Sequence, residues 1–571
     1  MLRPPEDWLP HRSRSRPSRV FGGNDQAHAG HLPSTIVHPP SSRLGRLGRR
    51  LGTPGVLLLL FGAYLATAAD QPQWGEAWSR NMVSRETGLA ASFDPQTGHN
   101  LKWVARLGSE THSTPIVAGG RVYIGTNNEE PRDPKHQGDR GVLMCFDEHT
   151  GQLLWQLVVP KRVEDVYLDQ PHTGICSPPT VEGDRVYVVS NRGEVLCLDA
   201  LGMANGNDGP FLDEGAHMTP KDAPVQLTPG PLDADIIWLF NLTDGAGIWS
   251  HDAAHSSILI LGDLLYLNTG TGVDNTHKRI RTPDAPSLVV LDKHTGRLVA
   301  RENEHIAPNI FHSTWSAPSF GVVNGRPLIF FAAGNGIVYA FDPVHPDATT
   351  SAGTTPTLNS TTPALQSPSP PPVQALRKAW QCDFDPTAPK TNVHKYNSNH
   401  RESPSNFFGM PVFDRNRLYV AGGGDLWWGK NEAWLKCIDA TGSGDITTNG
   451  LLWSYTLQKH VMGTPAVYQG LVFIADCGRL LHCVDAATGR ACWTHEITGD
   501  AWASPLVADG KVYLGTRSGA FYVLAASREK KVLTTLDLGS PISGTATAAN
   551  GVLYVATMTH LYAVKEGAEA R

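Results

Sequence analysis

Charged residues are scarce in this chain: Asp, Glu, Lys and Arg make up 18% of its 571 residues, against 40% hydrophobic residues. So little charge excludes an intrinsically disordered chain and a long charged coiled coil. No apolar run approaches the roughly 20 residues that a membrane-spanning helix needs. No cysteine stands directly after the apolar run near the start, so a lipoprotein anchor is not supported either. No two cysteines of the chain are adjacent.

Acidic residues outnumber basic ones over most of the chain. Residues 1–50 hold nine arginines against three acidic residues, and residues 51–68 hold no charge at all. Because the whole chain has a net charge of −6, the part beyond residue 68 carries −12. A nucleic-acid-binding surface needs a basic face that displaces counterions, so this acidic body excludes that class of partner.

The arginine-rich start has the order of an export signal. An Arg-Arg pair at 49–50 precedes the apolar run 56–65, which ends in Ala-Thr-Ala at 66–68. A charged region, a short apolar region and an A-x-A site predict export with cleavage after Ala68. We therefore expect residues 1–68 to be an export signal and the mature protein to be periplasmic or in the cell envelope. An uncut signal anchor and a twin-arginine signal are the alternatives.

Glycine and proline are abundant, at 57 and 42 residues, which suits many short strands joined by turns. A unit recurs along the chain: a small residue and Pro, apolar residues, a Gly turn, Val-Tyr, a second turn, Leu-x-Cys-x-Asp, Thr-Gly and then Trp. Short runs of alternating apolar and polar residues between Gly turns indicate a β-meander. The first copy consists of Thr114-Pro115, Val122-Tyr123, Cys145-Phe146-Asp147, Thr150-Gly151 and Trp155.

The repeat predicts an all-β fold, an eight-bladed β-propeller of four-stranded antiparallel blades. Tyr513 and Tyr554 mark two successive copies 41 residues apart, which is the length of one blade. The eighth copy ends after its third strand, and residues 101–105 match the missing Trp-containing strand. We expect this N-terminal strand to join the last blade and close the ring, which removes an exposed sheet edge.

The same alignment divides the chain into parts. Residues 69–98 form a lead-in segment, residues 99–566 the single propeller, and residues 567–571 a tail. Within the propeller, residues 343–375 are rich in Thr, Ser and Pro, a composition that cannot form a packed core. We expect a flexible insertion there.

The cysteines are expected to be structural. Cys145, Cys197, Cys437 and Cys483 share one repeat position with Val290 and Ala340, so we interpret them as small buried hydrophobes. Equivalent positions in different blades should lie too far apart for disulfides. Cys477 and Cys492 stay open as a pair.

The combination of Val-Tyr, Leu-x-Cys-x-Asp, Thr-Gly and Trp resembles the repeat of the pyrroloquinoline-quinone (PQQ) type propellers. The resemblance covers roughly residues 70–566. This superfamily includes the quinoprotein alcohol dehydrogenases and BamB, an outer-membrane assembly protein whose blades lock through docking Trp residues. The resemblance implies the fold and leaves the function open, since the repeat is structural.

Histidine concentrates in the loops that a propeller of this topology gathers on one face, which we call the loop face. Its long members are residues 126–140, 160–176, 268–287, 383–407 and 422–433. Loops on one face of a rigid scaffold commonly carry the binding residues. The histidines assigned to this face are His112, His136, His172, His251, His255, His277, His305, His312, His394, His400, His460 and His560.

The position three residues before the repeat Pro should surround the mouth of the central channel. One interpretation is a ligand funnel, in which Trp315 or Trp502 stacks on the ligand and His112 and His255 donate hydrogen bonds or bind a metal. The other is a plug of packed side chains. Zinc would need three or four ligands at about 2 Å. The ring consists of His112, Cys176, His255, Trp315, Phe408, Met462, Trp502 and Ser543.

Two further segments carry candidate sites. One is a glycine-containing loop whose oxygen-bearing side chains suit calcium, although it lacks EF-hand spacing and an ordinary turn-rich loop also fits. Its candidate ligands are Asn205, Asn207, Asp208, Asp213 and Glu214. The other is the adjacent pair Trp427 and Trp428, which should either bind a sugar or a protein partner or pack as a lid.

These observations favour an exported, non-catalytic propeller that acts as a protein- or ligand-binding scaffold in the cell envelope. We expect a monomer whose partner is an envelope protein, a peptide or a polysaccharide. One alternative is a PQQ-dependent dehydrogenase, for which the resemblance implies a quinone, a calcium ion, a carboxylate base and a disulfide between adjacent cysteines. That cysteine pair is missing here. The other alternative is an enzyme that uses the histidines of the funnel as a metal or acid–base site.

Overall fold

The computed structural model describes residues 69–162, 169–251, 256–344 and 372–569. The predicted export signal at 1–68, His255, and residues 345–371 of the predicted insertion lie outside the described residues. Within the described ranges, no helix is long and apolar enough to cross a membrane.

Eight separate sheets follow one another along the chain as the blades of a propeller, which confirms the predicted all-β fold. The strands of the first three blades are short and lie within residues 116–301. In chain order, the first strands are β1 (His99–Arg106), β2 (Ile116–Ala118), β3 (Arg121–Asn127), β4 (Arg140–Asp147), β5 (Leu153–Pro160), β6 (Thr180–Glu182), β7 (Arg185–Val189), β8 (Glu194–Asp199), β9 (Ile236–Asn241), β10 (Leu259–Leu261), β11 (Leu264–Asn268), β12 (Leu288–Asp292) and β13 (Leu298–Arg301). Blade 1 contains β2–β5, blade 2 contains β6–β9, and blade 3 contains β10–β13.

Blades 4 and 5 are the most decorated of the ring. Their region contains β14 (Ser319–Val323), β15 (Arg326–Ala332), β16 (Ile337–Phe341), β17 (Gln374–Ala375), β18 (Lys378–Asp383), β19 (Ser405–Asn406), β20 (Val412–Asp414), β21 (Arg417–Gly424), β22 (Ala433–Asp439), β23 (Gly444–Asp445) and β24 (Leu451–Thr456). Blade 4 is β14-β15-β16-β18, and blade 5 is built on β20-β21-β22-β24. Three additional two-residue strands extend the sheets of blades 3, 4 and 5. Strand β17 pairs with β13 of blade 3, β23 with β18 of blade 4, and β19 with β21 of blade 5.

Blades 6 to 8 keep the plain four-stranded pattern. They contain β25 (Ala466–Tyr468), β26 (Leu471–Ala475), β27 (Leu480–Asp485), β28 (Ala491–Glu496), β29 (Leu506–Ala508), β30 (Lys511–Gly515), β31 (Ala520–Ala525), β32 (Val532–Asp537), β33 (Thr547–Ala549), β34 (Val552–Ala556) and β35 (His560–Glu569). In the described residues, short helices lie between blades or strands, at α1 (Glu214–Met218), α2 (Leu242–Ala246) and the 3-10 helices Gly202–Asn205, Ala307–Asn309 and Val393–Tyr396.

The N-terminal strand is the outer strand of the last blade. The eighth sheet has the order β1-β35-β34-β33, and Ala105 of β1 lies opposite Leu561 of β35. Strand β35 runs on to Glu569, so residues 567–569, which were expected to be a tail, belong to the strand instead. Likewise, residues 374–375 of the predicted flexible insertion form the parallel strand β17 on blade 3.

The repeat Trp and Thr-Gly explain how neighbouring blades dock. The indole N–H of Trp453, on the outer strand of blade 5, donates to the carbonyl of Ala486 in blade 6 (3.1 Å). Gly489 of blade 6 has φ +72°, and a Cβ there would lie 2.6 Å from the Trp453 ring. Glycine is therefore required at this turn for both conformation and space. The same indole-to-carbonyl bond recurs at Trp103, Trp155, Trp238, Trp380 and Trp493.

The cysteines of the repeat are buried in these docked faces. Cys145, Cys197, Cys437 and Cys483 are each at most 1% exposed, as the exchange with Val and Ala predicts. Burial raises the pKa of the Cys145 thiol. All eight cysteines are free, so the open pairing of Cys477 with Cys492 is wrong.

The lead-in segment crosses the central channel at the end where the inner strands turn into the second strands. Its backbone pairs with Val117 of blade 1 and Val507 of blade 7. The Asn81 amide bonds both backbone groups of Val467 in blade 6, at 2.8 Å each. Further hydrogen bonds reach Val181, Ser257, Phe320, Phe413 and Ala548 of the other blades. We call residues 69–86 the base segment, because hydrogen bonds from this stretch reach all eight blades.

Candidate functional site

Three histidines from two neighbouring blades meet on the loop face. His251 lies on the loop entering blade 3, His277 on the loop between β11 and β12, and His312 on the loop entering blade 4. One ring nitrogen from each lies within 4.8 Å of the others. The Nε2 atoms of His251 and His312 are 3.1 Å apart, close to the roughly 3.3 Å that two nitrogen ligands of one tetrahedral ion need. We call these residues the histidine cluster.

Irregular backbone pairing holds two of the histidines side by side. The N–H of His251 donates to the carbonyl of Gly270 (3.1 Å), and the N–H of Val273 donates to the carbonyl of His312 (2.8 Å). Gly272 runs between the two loops, where a Cβ would lie 2.5 Å from the His312 oxygen and 2.9 Å from the His251 Cβ. Only glycine allows the loops to approach so closely.

The third histidine sits at the solvent edge in an uncommon backbone conformation. The backbone of His277 has φ +55°. Its side chain is half-buried, whereas His251 and His312 are at most 2% exposed. Its N–H donates to the carbonyl of Asp274, and its carbonyl accepts from the Asn397 amide (2.8 Å). A left-handed conformation at a non-glycine residue is often found where function fixes a side chain.

A buried carboxylate from blade 5 orients the histidine cluster. Asp425 Oδ2 lies 2.9 Å from Nδ1 of His312, which leaves Nε2 of His312 facing His251. The other oxygen, Oδ1, accepts the N–H groups of Trp427 and Trp428 (3.0 Å each). Burial alone would raise the pKa of Asp425, but the His312 charge and these hydrogen bonds lower it below its ordinary value. A carboxylate behind a histidine is the usual outer partner of a metal-ligating imidazole.

Aromatic rings enclose the histidine cluster on its channel side. Trp427 lies against His312, with ring centroids 5.6 Å apart, and against Trp315, Phe408 and Trp502 of the predicted ring. Trp315 Nε1 is buried and has no hydrogen-bond partner among the described residues. Trp427 therefore packs against three members of the predicted ring, and both interpretations of the Trp427–Trp428 pair stay predictions.

Trp428 faces outward and borders a cleft of about 660 Å³. Its ring packs on His277, with centroids 4.7 Å apart. The opposite walls carry Lys278, Lys395 and the amides of Asn392 and Asn397. The cleft thus offers positive charge, amide donors and a flat indole face directly beside the most exposed histidine of the cluster.

The structure contains two other groups of potential ligands among its described residues. Asp133, His136 and Asp233 converge, but Lys135 Nζ lies 3.4 Å from Asp133 and forms a close ion pair with Asp233, so an ammonium group already supplies the positive charge. Asp199, Asp208 and Asp235 form the third group.

The predicted calcium loop is only partly brought together. Asp208 joins that third group, and Asn205 donates to it. The Asn207 amide instead donates to Glu214 (2.7 Å), whose other oxygen accepts the N–H of Ile236. Asp213 is exposed and makes no side-chain cap at α1.

The predicted channel ring is assembled in part from stacked side chains. His112 stacks on Trp502, with centroids 5.9 Å apart, and its Nε2 lies 3.5 Å from Glu110. Trp315 packs on Phe408 at 4.6 Å, and Ser543 accepts from Arg517. Cys176 and Met462 are half-buried, and His255 lies outside the described residues. Ligand binding by this ring stays a prediction.

The repeat alignment assigned all three members of the histidine cluster to the loop face but did not single them out. They stand outside the repeated positions, so the Pro-based offset selected His112 and His255 instead. The usable signal was the concentration of histidines in the loops around one blade.

The residues at the mouth differ from the quinone site that the resemblance implies in lacking a disulfide between adjacent cysteines. Trp427 occupies the space between three aromatic ring members, and the cysteines are separate and free. Binding of PQQ with calcium stays a prediction.

Comparison with known proteins agrees with the repeat. A family model described as "Outer membrane protein assembly factor BamB" (PQQ_2) matches residues 139–206, 378–493 and 431–540. A quinohemoprotein alcohol dehydrogenase from Comamonas testosteroni is 29% identical over 108 residues, which cover 17% of this chain and 15% of that protein. The match thus spans a small part of the relative's length.

Solved structures with similar folds are remote in sequence. BamB from Moraxella catarrhalis shares 11% identity with a TM-score of 0.47, covering 82% of this chain and 98% of that one. The C. testosteroni dehydrogenase shares 14% identity with a TM-score of 0.40, covering 89% and 82%. With its eight sheets and repeated docking Trp, the chain is a PQQ-like, BamB-like β-propeller repeat protein.

Proposed function

We propose that this protein is a propeller that binds one transition-metal ion on its loop face, through His251, His277 and His312. The observation that carries the proposal is the convergence of three imidazoles with a buried carboxylate behind one of them. This form of the His-site alternative moves the site from the ring position to the loops of blades 3 and 4.

The donor set indicates the kind of ion. Imidazole nitrogens suit zinc, copper, iron and nickel, and not calcium or magnesium, which prefer oxygen ligands. Three protein ligands leave a position for water or for a ligand atom, as in catalytic zinc sites. The buried Trp315 N–H beside His312 would then find an acceptor in a ligand held at the cluster.

The adjoining cleft favours an anionic ligand. Lys278 and Lys395 attract negative charge, and Trp428 offers a ring face for stacking. A ligand bound there would approach the metal past His277, the half-buried member of the cluster.

Metal analysis of protein purified without a His tag tests the proposal. We expect close to one ion per chain in the wild type and loss of that ion in the His251→Ala, His312→Ala double variant. His112→Ala and the exposed His294→Ala are matched controls and should keep the metal. A wild-type protein that stays metal-free after incubation with zinc, copper or nickel would refute the site.

The scaffold function is the second candidate, and Trp428 is the observation that favours it. A half-exposed indole on a cleft can anchor an envelope protein, a peptide or a polysaccharide. We expect partner recovery from envelope extracts to fall for Trp428→Ala and not for Trp78→Ala, whose indole is 53% exposed elsewhere. Equal recovery by the two variants would count against this face.

A hydrogen bond at Ala69 supports the predicted cleavage after Ala68, and with it export to the envelope. The Ala69 N–H donates to the buried Glu86 carboxylate at 2.8 Å. Cleavage after Ala68 would convert this amide into an α-ammonium group and the hydrogen bond into an ion pair. N-terminal sequencing of protein from the host's envelope fraction should begin at Ala69. An uncut chain there would contradict cleavage.

A further inference from the structure

A group of carboxylates lies in blade 2, apart from the histidine cluster. Asp199 ends β8, Asp235 directly precedes β9, and Asp208 belongs to the long connection between these strands. The Asp199 N–H donates to the Asp235 carbonyl (3.0 Å), so strand pairing sets these two residues next to each other. One oxygen from each of the three carboxylates lies within 4.8 Å of the others.

The connection is folded back onto this pair. The N–H of Asp208 donates to Asp235 Oδ2 (3.0 Å), and the Asn205 amide donates to the Asp208 carboxylate. Gly206 has φ +116°, which allows the sharp turn between them. Asp208 is exposed, so the group opens to solvent.

One oxygen in this group is buried without a partner. Asp235 is 0% exposed, and its Oδ1 has no hydrogen-bond partner among the described residues. A buried carboxylate oxygen left unpaired is destabilising, because the hydrogen bonds that it made to water are not replaced. Native proteins usually satisfy such atoms by a water molecule or an ion.

Several carboxylates lie around Asp235, and a cation would neutralise their negative charge. Burial raises the pKa of Asp235, and the nearby carboxylates of Glu214, Asp199 and Asp208 raise it further. Among the described residues, Arg185 is the basic side chain that pairs with the group, and its bond is to Asp199 Oδ2 (2.8 Å). Lys135 neutralises the comparable Asp133–Asp233 pair, whereas the ion pair of the blade 2 group is the one between Arg185 and Asp199.

We propose that Asp199, Asp208 and Asp235 bind a calcium ion that fastens the long connection of blade 2 to its strands. Oxygen-only donors with a solvent-facing side match calcium, which takes six to eight oxygen ligands and accepts water among them. Asp208 is the ligand that the glycine-rich loop contributes, while Asp199 and Asp235 come from the repeat framework. Asp213 and Glu214, which the loop spacing also suggested, are not in the converging set, and the Asn207 amide donates to Glu214.

Calcium titration of the purified protein, first stripped with a chelator, tests this site. We expect one calcium ion per chain by calorimetry and a rise in melting temperature at about 5 mM calcium. Asp235→Asn and Asp208→Asn should each weaken binding at least about tenfold. Asp133→Asn, in the lysine-neutralised group, is the control and should bind like the wild type.

The same variants separate an ion site from a permanently protonated Asp235. If calcium balances the repulsion, Asp235→Asn in chelator is at least as stable as the wild type and no longer responds to calcium. If Asp235→Asn is less stable in chelator and the wild type ignores calcium, the proposal is overturned. Should Asp235→Asn fail to fold, the exposed Asp208→Asn decides: calcium affinity equal to that of the wild type overturns the site.

Terbium gives a second readout. The Trp155 indole donates to the Ala200 carbonyl, next to Asp199, and can therefore sensitise a lanthanide bound there. We expect terbium luminescence excited through tryptophan, displaced by calcium and lost in Asp208→Asn. Luminescence that survives in Asp208→Asn would place the ion elsewhere and contradict the proposal.

Discussion

At the scale of the residue, Asp425 has the clearest role in the histidine cluster. Its carboxylate lies behind His312 and is itself fixed by the backbone N–H groups of Trp427 and Trp428. Asp425 is thus a positioning residue, which selects the ring orientation of His312 without facing the ligand.

We expect Asp425→Asn to lower metal affinity about 10–100-fold, the usual cost of losing such an outer partner. Competition with a chromophoric chelator measures the affinity. Asp414→Asn on the exposed β20 turn is the control, since Asp414 pairs only with the surface Arg415 there. Unchanged affinity in Asp425→Asn would show that His312 needs no carboxylate.

A second residue-scale prediction concerns Glu194 in blade 2. Burial alone would raise its pKa, but His217 and Arg192 lower it well below its ordinary value of 4.5. Because the folded pKa is depressed, the ionised carboxylate stabilises the fold above pH 4.5, and this contribution is lost as the pH falls toward the folded pKa.

Glu194→Gln should therefore have a lower melting temperature than the wild type at pH 7. This difference in melting temperature should shrink as the pH drops below about 4.5. Thermal unfolding at several pH values measures this difference. The exposed Glu496→Gln is the control and should track the wild type throughout. A deficit in Glu194→Gln that stays constant with pH would contradict the ionic origin.

Residue-level sites were the hardest part to predict from the sequence. The offset from the repeat Pro found positions that share a place in every blade, such as Trp315 and Phe408, which do pack together. His251 and His277 have no repeat equivalents, since their loops differ in length from blade to blade. His251 is held beside His312 by backbone pairing around Gly272. Such irregular pairing has no periodic sequence pattern from which it could be predicted.

At the scale of the element, six of the eight blades dock on the next blade through one indole hydrogen bond. Trp453→Phe removes the hydrogen bond to Ala486 and leaves part of the space over Gly489 empty. We expect a loss of about 2 kcal/mol, from the cavity and the lost indole hydrogen bond, since Arg417 and Tyr419 still donate to the Ala486 carbonyl. Urea unfolding measures it, and Trp78→Phe, at an exposed indole, should stay within about 0.5 kcal/mol of the wild type.

The regular strands followed from the repeat, whereas the added ones did not. Alternation and Gly turns predict the inner, second and third strands because each faces a buried neighbour. Strands β17 and β23 contain two residues each and pair in parallel at outer edges, so they carry no alternation to detect. Residues 567–569 were assigned to a tail because the repeated sequence pattern ends before them. Strand β35 nevertheless continues to Glu569.

At the scale of the whole molecule, the base segment joins blades that are far apart in the sequence. Arg80 is fully buried and donates to Ser257 Oγ (2.9 Å), the Trp74 carbonyl (3.1 Å) and the Pro318 carbonyl (3.2 Å). Residues 69–98 show no repeat and no alternation, so the sequence placed them only as a lead-in. Ring size, by contrast, could be counted directly from the repeats.

We expect Arg80→Ala to destabilise the protein by about 3 kcal/mol, because it empties the base of the channel and leaves these acceptors unpaired. The midpoint of chemical unfolding is the measurement. Arg85→Ala, five residues on with its side chain 95% exposed, should shift stability by less than about 0.5 kcal/mol. Equal effects of the two variants would mean that the base segment does not support the ring.

The base segment also dictates an order of events during synthesis. Its residues leave the ribosome before all eight blades, yet Ser84 bonds Ala548 and the Ala69 carbonyl accepts the N–H of Asn550, which are made among the last. Strand β1 likewise waits for β35. The earliest part of the chain must therefore stay unfolded until nearly all of the rest has emerged, and such sequence-distant pairing makes folding slow. A chain released before blade 8 would expose both an unfilled channel and an unpaired strand, a form that quality-control proteases can recognise.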